Sequence, residues 1–294
     1  MAAFAFATSG PLGKVAADVP AVVMACARTS IAAAILALVA PRVLARSLRA
    51  LARRQRAAVG LAGVLLGAHF ALFFGGLATT SFAAAVALVS LEPIAVVLAA
   101  FFAFGIRPTP RELLGLLVAT AGAVVVASGA GTGDHRLVGD LMVLAAVVLY
   151  GAYVASARGL RDALPPLPYA AAVYAVSTLF LLPLALYLGL HAGMPRPQSS
   201  LAILGLALIP TLIGHTLVQR VARRAPPVLV ALVSPGETVG SLAIGALLLH
   251  TAPTPREGIG CALVLAGATL AATGRSPVRE SRGVSESPML RDSD

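Results

Sequence analysis

Five ionisable residues stand inside long apolar stretches of the chain: Arg28, His69, Glu92, His215 and Glu237. On insertion scales a charged side chain at mid-bilayer costs about 2.5–3.5 kcal/mol, so each needs a partner or a task. The two carboxylates share a local device. Glu92 is followed by Pro93, whose ring and missing N–H free the carbonyl of Val89, while Pro235, two residues before Glu237, frees that of Ala231. Carbonyls released at that depth are tolerated only against protein or a wet cavity. A pair of carboxylates beside such breaks can bind cationic groups or protons. The alternative is a structural carboxylate bonded to a neighbouring helix.

Thr211, His215 and Gln219 recur at i, i+4 and i+8, a polar stripe on one helix face, just after Pro210. Such a stripe is expected to face a cavity rather than lipid. His69 has Leu65 and Phe73 at the same offsets, and a histidine packed between helices suits it equally well. Tyr150, Tyr153 and Tyr174 are placed to line the same cavity. Ser177, Thr178, Ser234, Thr238 and Ser241 fit interhelical hydrogen bonding better. Arg28 either pairs with a carboxylate, binds an anionic group or snorkels outward. No two of the five histidines have ligand spacing on one helix, and Cys26 and Cys261 lie far apart in apolar stretches. Neither a metal site nor a disulfide is expected. The P-loop, the serine elbow, HExxH and the dinucleotide glycine fingerprint are all absent, so neither an enzyme nor a cofactor is expected.

The elements that must hold these residues follow from composition. The 294 residues are 59% hydrophobic and only 12% charged, with mean hydropathy +0.91; a soluble domain carries about 25% charge. Apolar runs of roughly membrane length fall at about 1–17, 19–40, 58–77, 80–104, 111–129, 138–157, 169–190, 201–219, 227–249 and 257–274. The first is short and lacks the basic flank of a signal peptide, so no cleavage is expected, and a start upstream of Met1 would complete it. The last twenty residues, RSPVRESRGVSESPMLRDSD, read as a disordered tail.

Ten spans with a cytoplasmic N-terminus place 17 basic residues inside and four outside, with Arg28 within a span. That asymmetry supports both the count and the orientation. The basic run PRVLARSLRALARRQR at 41–56 is explained by this topology and by lipid headgroups rather than by nucleic acid.

The string PTPRE occurs at 108–112 and again at 253–257. At the same offset of 145, Gly115 falls on Gly260, Ala121-Gly122-Ala123 on Ala266-Gly267-Ala268, and Glu92 on Glu237. Each half is therefore a five-helix unit, and five being odd, the second enters the membrane from the opposite side. The expected fold is all-α, ten transmembrane helices as two inverted five-helix repeats: 1–130 and 138–274, followed by a cytoplasmic tail over 275–294. Inverted repeats of this kind mark alternating-access transporters with a site between the halves. Thr109-Pro110-Arg111-Glu112 and Thr254-Pro255-Arg256-Glu257 read as capping boxes opening the last helix of each half.

HFALFFGGLATTSFAAAVALVSLEPIAVVLAAFF and PTLIGHTLVQRVARRAPPVLVALVSPGETVGSLAIGALLL resemble the third-and-fourth-helix segments of the drug/metabolite transporter superfamily, in its ten-helix EamA-type members. GDLMVLAAVVLYGAYVASARGLR resembles the start of that family's second repeat, with Tyr150 where Trp is usual. The Gly-Glu pair common at the end of the fourth helix of each repeat is replaced here by Gly105-Ile106 and Leu249-His250. The resemblance implies a bacterial plasma (inner) membrane protein with both termini cytoplasmic, exporting small metabolites or drugs, often in exchange for protons. Its partners would be a small-molecule substrate, protons, membrane lipids and, in a homodimer, a second copy. Import by the same fold and an intramembrane enzyme using the buried His and Glu remain the alternatives.

Overall fold

In the computed structural model, which describes residues 1–80, 82–128, 136–249 and 254–273, proline is the first residue of six of the described helices. Its fixed φ suits the first turn, where its missing N–H would have had no intrahelical partner. The helices are α1 (Ala2–Ala7), α2 (Ser9–Val15), α3 (Ala21–Val39), α4 (Pro41–Arg49), α5 (Arg53–Thr79), α6 (Phe82–Val89), α7 (Glu92–Phe104) and α8 (Pro110–Ala127). After them come α9 (Leu137–Gly159), α10 (Pro166–Ala192), α11 (Pro197–Leu206), a π-helical segment (Ala207–His215), α12 (Thr216–Ala222), α13 (Pro227–Ala231), α14 (Val233–Leu249) and α15 (Pro255–Thr273). No strand occurs among the described residues. Residues 21–39, 53–79, 137–159, 166–192 and 197–222 form five helices long and apolar enough to cross a membrane, and shorter apolar helices accompany them.

Three expected single spans are divided. Residues 1–17 form α1 and α2, hinged at Thr8, whose Oγ1 donates to the Ala5 carbonyl at 2.7 Å. The 80–104 stretch divides into α6 and α7 because Pro93 cannot donate to Val89; the freed Val89 carbonyl instead accepts from Ser234 Oγ of the other half at 3.3 Å. The 227–249 stretch divides at Leu232, ahead of Pro235, into α13 and α14. The two breaks are thus offset: Glu92 is the first residue of α7, whereas Glu237 sits one turn inside α14.

The 201–219 stretch is continuous with its neighbours from 197 to 222 but contains nine π-helical residues around Pro210. Pro210 frees the carbonyl of Leu206, and Thr211 Oγ1 donates to it at 2.7 Å. The first capping box forms as read: Glu112 N donates to Thr109 Oγ1 at 3.2 Å and Thr109 N to Glu112 Oε2 at 2.8 Å. Pro255 likewise opens α15. The Glu257 and Ser241 side chains, His250 and the expected tail 275–294 lie outside the described residues.

The halves exchange contacts reciprocally. On the crossing of α8 and α15, a Cβ added to Gly122 would lie 2.7 Å from the Gly260 carbonyl, and one added to Gly260 would lie 2.8 Å from the Gly122 carbonyl. Gly115 and Gly267 meet the same way, each 2.6 Å from the other's carbonyl oxygen. The 145-residue offset superimposes Gly115 on Gly260 and Gly122 on Gly267, so each glycine packs on the repeat equivalent of the other glycine in its own half. Helix α9 packs on α5 and α7, and in return α1 packs on the π segment and α14. Such exchange is what an approximate two-fold axis between the repeats produces. Gly63 and Gly67 of α5 admit α10 equally closely, against Val176 and Ser177. Leu38, Phe102, Leu179 and Leu190 lie exposed on the outside, as a surface solvated by lipid requires.

Candidate functional site

Where the halves meet, a cavity of about 30 Å³ is lined by Phe6, Ser9, Arg28, His69, Phe70, Phe73, Val89, Glu92, Tyr150, His215 and Glu237. It has room for about one or two waters and for no metabolite. All five ionisable residues singled out in the sequence therefore converge, from α3, α5, α7, the π segment and α14, and Tyr150 joins them from α9. Thr211, Gln219, Tyr153 and Tyr174 do not line the cavity.

Arg28 does not snorkel, being only 1% exposed. Its guanidinium carbon lies 4.0 Å from the centre of the Phe70 ring and 5.4 Å from that of Phe74, a desolvated cation–π arrangement. Nε donates to Thr211 Oγ1 at 2.6 Å, and Nη2 has no hydrogen-bond partner. No ion pair joins Arg28 to either carboxylate, although Glu237 lines the same cavity. Thr211 is accordingly a positioning residue, taking Arg28 with its hydroxyl. Tyr174 holds that turn in place by donating to the Thr211 carbonyl at 2.9 Å, while its hydroxyl also meets Thr216 Oγ1 at 3.0 Å.

The two histidines differ. His69 Nδ1 lies 2.9 Å from the Ala146 carbonyl; a carbonyl only accepts, so Nδ1 carries the proton and Nε2 of the neutral ring is the acceptor. His215 sits within aromatic rings, with centroids 4.6 Å from Phe6, 4.9 Å from Phe70 and 6.4 Å from His69, and its Nδ1 has no partner. Glu92 is buried beside Ser234, and Glu237 is half-buried. The site thus combines an incompletely bonded guanidinium, two carboxylates and two imidazoles inside an aromatic wall.

Sequence reasoning did not pick out Phe6, Ser9, Phe70 and Phe73. Phe70 and Phe73 flank His69 and could have been found from that. Phe6 and Ser9 lie in the hinged α1–α2 pair, where a 17-residue span gives no register.

Away from the cavity, at the turn between α2 and α3, Asp18 Oδ1 accepts from Arg196 Nη2 at 3.0 Å and from Ser199 Oγ at 2.5 Å. Arg196, with Ser199 beside it, holds the Asp18 carboxyl well below the usual carboxylate range. Lys14 Nζ donates to the Leu77 carbonyl at 3.1 Å, and Thr80 Oγ1 to Asp140 at 2.8 Å. These contacts tie the loops at one end of the bundle. No group of three or more His, Cys, Asp or Glu able to hold a metal occurs among the described residues.

The sequence matches the EamA-like transporter family over residues 1–128 and 137–273. The chain belongs to the EamA-like transporter family. A solved structure titled only as the crystal structure of a protein is 21% identical with a TM-score of 0.75, over 92% of this chain and 95% of that one. At that identity the likeness shows the fold. No curated protein matches. This EamA-like protein is therefore a multi-pass membrane transporter of the drug/metabolite type, all-helical and built of two repeats, in a family of transporters rather than enzymes.

Proposed function

We propose that this EamA-like transporter exports a small polar metabolite or drug across the bacterial cell membrane by alternating access, in exchange for protons. The observation that carries the reading is the convergence of Arg28, Glu92 and Glu237 from both repeats on one cavity. Groups of this kind are expensive in a membrane and mark substrate or ion pathways. Residues 1–130 and 138–274 act as the two inverted repeats, rocking about this site, with both termini cytoplasmic as the arginine distribution favours.

In this proposal the unpartnered Nη2 of Arg28 takes an anionic group of the substrate and the carboxylates take a cationic group or the exchanged proton. A solute carrying both kinds of group matches this lining. The cavity admits only water-sized species, so loading requires the repeats to part. The broken helices α6–α7 and α13–α14 supply the discontinuities around which such a motion can occur.

The test is metabolite profiling of medium from cells expressing the wild type and Arg28→Ala at equal membrane abundance. Compounds that accumulate outside only with the wild type support the proposal. Identical profiles for wild type, variant and empty vector would sink it.

A further inference from the structure

Below the cavity, the polar stripe on the eighth apolar run continues one step beyond the three residues its periodicity first marks. Thr211, His215, Gln219 and Arg223 follow at spacings of four, and all are at most 4% exposed. From His215 to Arg223 the helix advances about 12 Å, close to the ~15 Å from the middle of a bilayer's hydrocarbon core to its edge. The file therefore runs from the cavity to the end of the bundle proposed as cytoplasmic.

From His215 onward its members are buried yet incompletely bonded. His215 Nδ1 and Arg223 Nη1 have no hydrogen-bond partner, and the Gln219 amide and the Tyr153 hydroxyl face each other without closing a short hydrogen bond. Tyr153 of α9 faces this file, its ring 5.8 Å from that of His215, and it lies beside Gln219. Nearly all buried polar groups in folded proteins are satisfied by protein or water, and leaving one unsatisfied forfeits its hydration without return. A consecutive run of such groups is explained by water or solute passing along it, and polar groups at that depth belong beside a wet passage.

The file ends in a clasp. Arg223 Nη2 donates to the carbonyls of Leu160, Arg161 and Leu164, at the turn between α9 and α10, and the guanidinium carbon lies 5.7 Å from the centre of the Tyr169 ring. Arg158, near the end of α9, returns the tie by donating to the Ala225 carbonyl beyond α12. Carbonyls left over where a helix ends are natural acceptors for a guanidinium.

We infer that the face of α12 bearing Gln219, opposite Tyr153 of α9, is the cytoplasmic leg of the transport path, and that Arg223 is its gate, closed here on the α9–α10 turn. The inference rests on the proposed transport function and adds the route and the gate. When Arg223 releases its three carbonyls, the turn parts from α12 and Gln219 meets cytoplasmic water.

Thiol accessibility tests this. In the Cys26→Ala/Cys261→Ala background, Gln219→Cys and Tyr153→Cys are each labelled with a membrane-impermeant methanethiosulfonate in right-side-out and inside-out vesicles. Val221→Cys, on the exposed side of the same segment, serves as the lipid-facing control. Both path positions should react from the cytoplasmic side only and Val221→Cys from neither. Adding Arg223→Ala should accelerate the reaction about tenfold or more, as loss of charge-assisted bonds to three carbonyls implies; Arg223→Lys, which keeps the charge but not the fork, should fall between.

Flux of the compounds found by profiling is followed in the same vesicles. Flux with no labelling at either path position, with or without Arg223→Ala, overturns the inferred route while leaving the transport proposal standing. Labelling that is unchanged by both Arg223 variants overturns the gate. The predicted labelling pattern without flux supports the route and counts against the transport proposal.

Discussion

The reciprocal glycine crossing of α8 and α15 gives a sharp quantitative test of the two-repeat packing. At Gly122, an added Cβ would lie 2.7 Å from both the Gly260 carbonyl oxygen and the Val264 backbone nitrogen, where ordinary contact begins at 3.4 Å. Both neighbours are backbone, so no side chain can rotate away, and the helices must part by about 0.7 Å. Overpacking of that kind costs about 1–3 kcal/mol. Gly267→Ala should cost a similar amount, since its Cβ would lie 2.6 Å from the Gly115 carbonyl. Gly60→Ala and Gly258→Ala carry the same gain in helix propensity, about 1 kcal/mol, but meet nothing within 4 Å. The comparison therefore cancels propensity and isolates the crossing. Gly122→Ala with Gly260→Ala should cost less than the sum of the single variants, because the first Cβ has already separated the helices. Thermal unfolding in detergent, followed by fluorescence-detected size exclusion, reads the wild type, the five single variants and the double variant. If the crossing variants are as stable as the Gly60 and Gly258 variants, the close backbone approach is wrong.

Four further outcomes are expected. Arg28→Lys keeps the charge but loses the Nε bond to Thr211 and the close guanidinium contact with Phe70, which should lower flux per protein about tenfold or more; Thr211→Val, which takes the hydroxyl from both Arg28 and the Leu206 carbonyl, should raise the transport KM more than it lowers the maximal rate. Ser234→Ala leaves the Val89 carbonyl without its hydroxyl donor, and a loss of about 1–3 kcal/mol should appear as a lower Tm. Asp18 has its folded pKa held down by Arg196 and Ser199, so its contribution is fully present above the unfolded value near 3.9 and is lost only as pH falls through the depressed folded value. The shift in Tm caused by Asp18→Asn should therefore be equal at pH 5 and pH 8, and a smaller shift at pH 5 contradicts the pairing.

Much of this architecture can be read from residue types because the membrane imposes simple costs. Arginines confined to the gaps outline the apolar runs, PTPRE sets the 145-residue register, and that register superimposes Glu92 on Glu237 and Gly122 on Gly267. Ionisable residues are excluded from lipid, so their rarity alone led to Arg28, His69, Glu92, His215 and Glu237, which the fold brings to one cavity. Regular periodicity failed where helices are irregular. A stripe at i, i+4 and i+8 presumes constant angular steps, but the π segment around Pro210 widens the turn. Thr211 consequently reaches Arg28 from behind while His215 faces the cavity. Tyr150 and Tyr153, three apart on α9, divide between the cavity and the polar file below it, a distinction set by which helices cross there and not by spacing. Proline reveals that a helix is disturbed but not where the break settles: it falls at Ser90–Leu91 in one repeat and at Leu232 in the other. Arg223, counted among the cytoplasmic arginines by position, is buried because three carbonyls at a helix end receive it.

The most direct measurement takes the compound identified by profiling into proteoliposomes under an imposed pH gradient, comparing wild type with Glu92→Gln, Glu237→Gln and the double variant. The proposed exchange predicts gradient-driven accumulation by the wild type and its loss in the variants. Accumulation by the double variant equal to that of the wild type would contradict the role given to the carboxylates, and no flux by the wild type would contradict transport through this cavity.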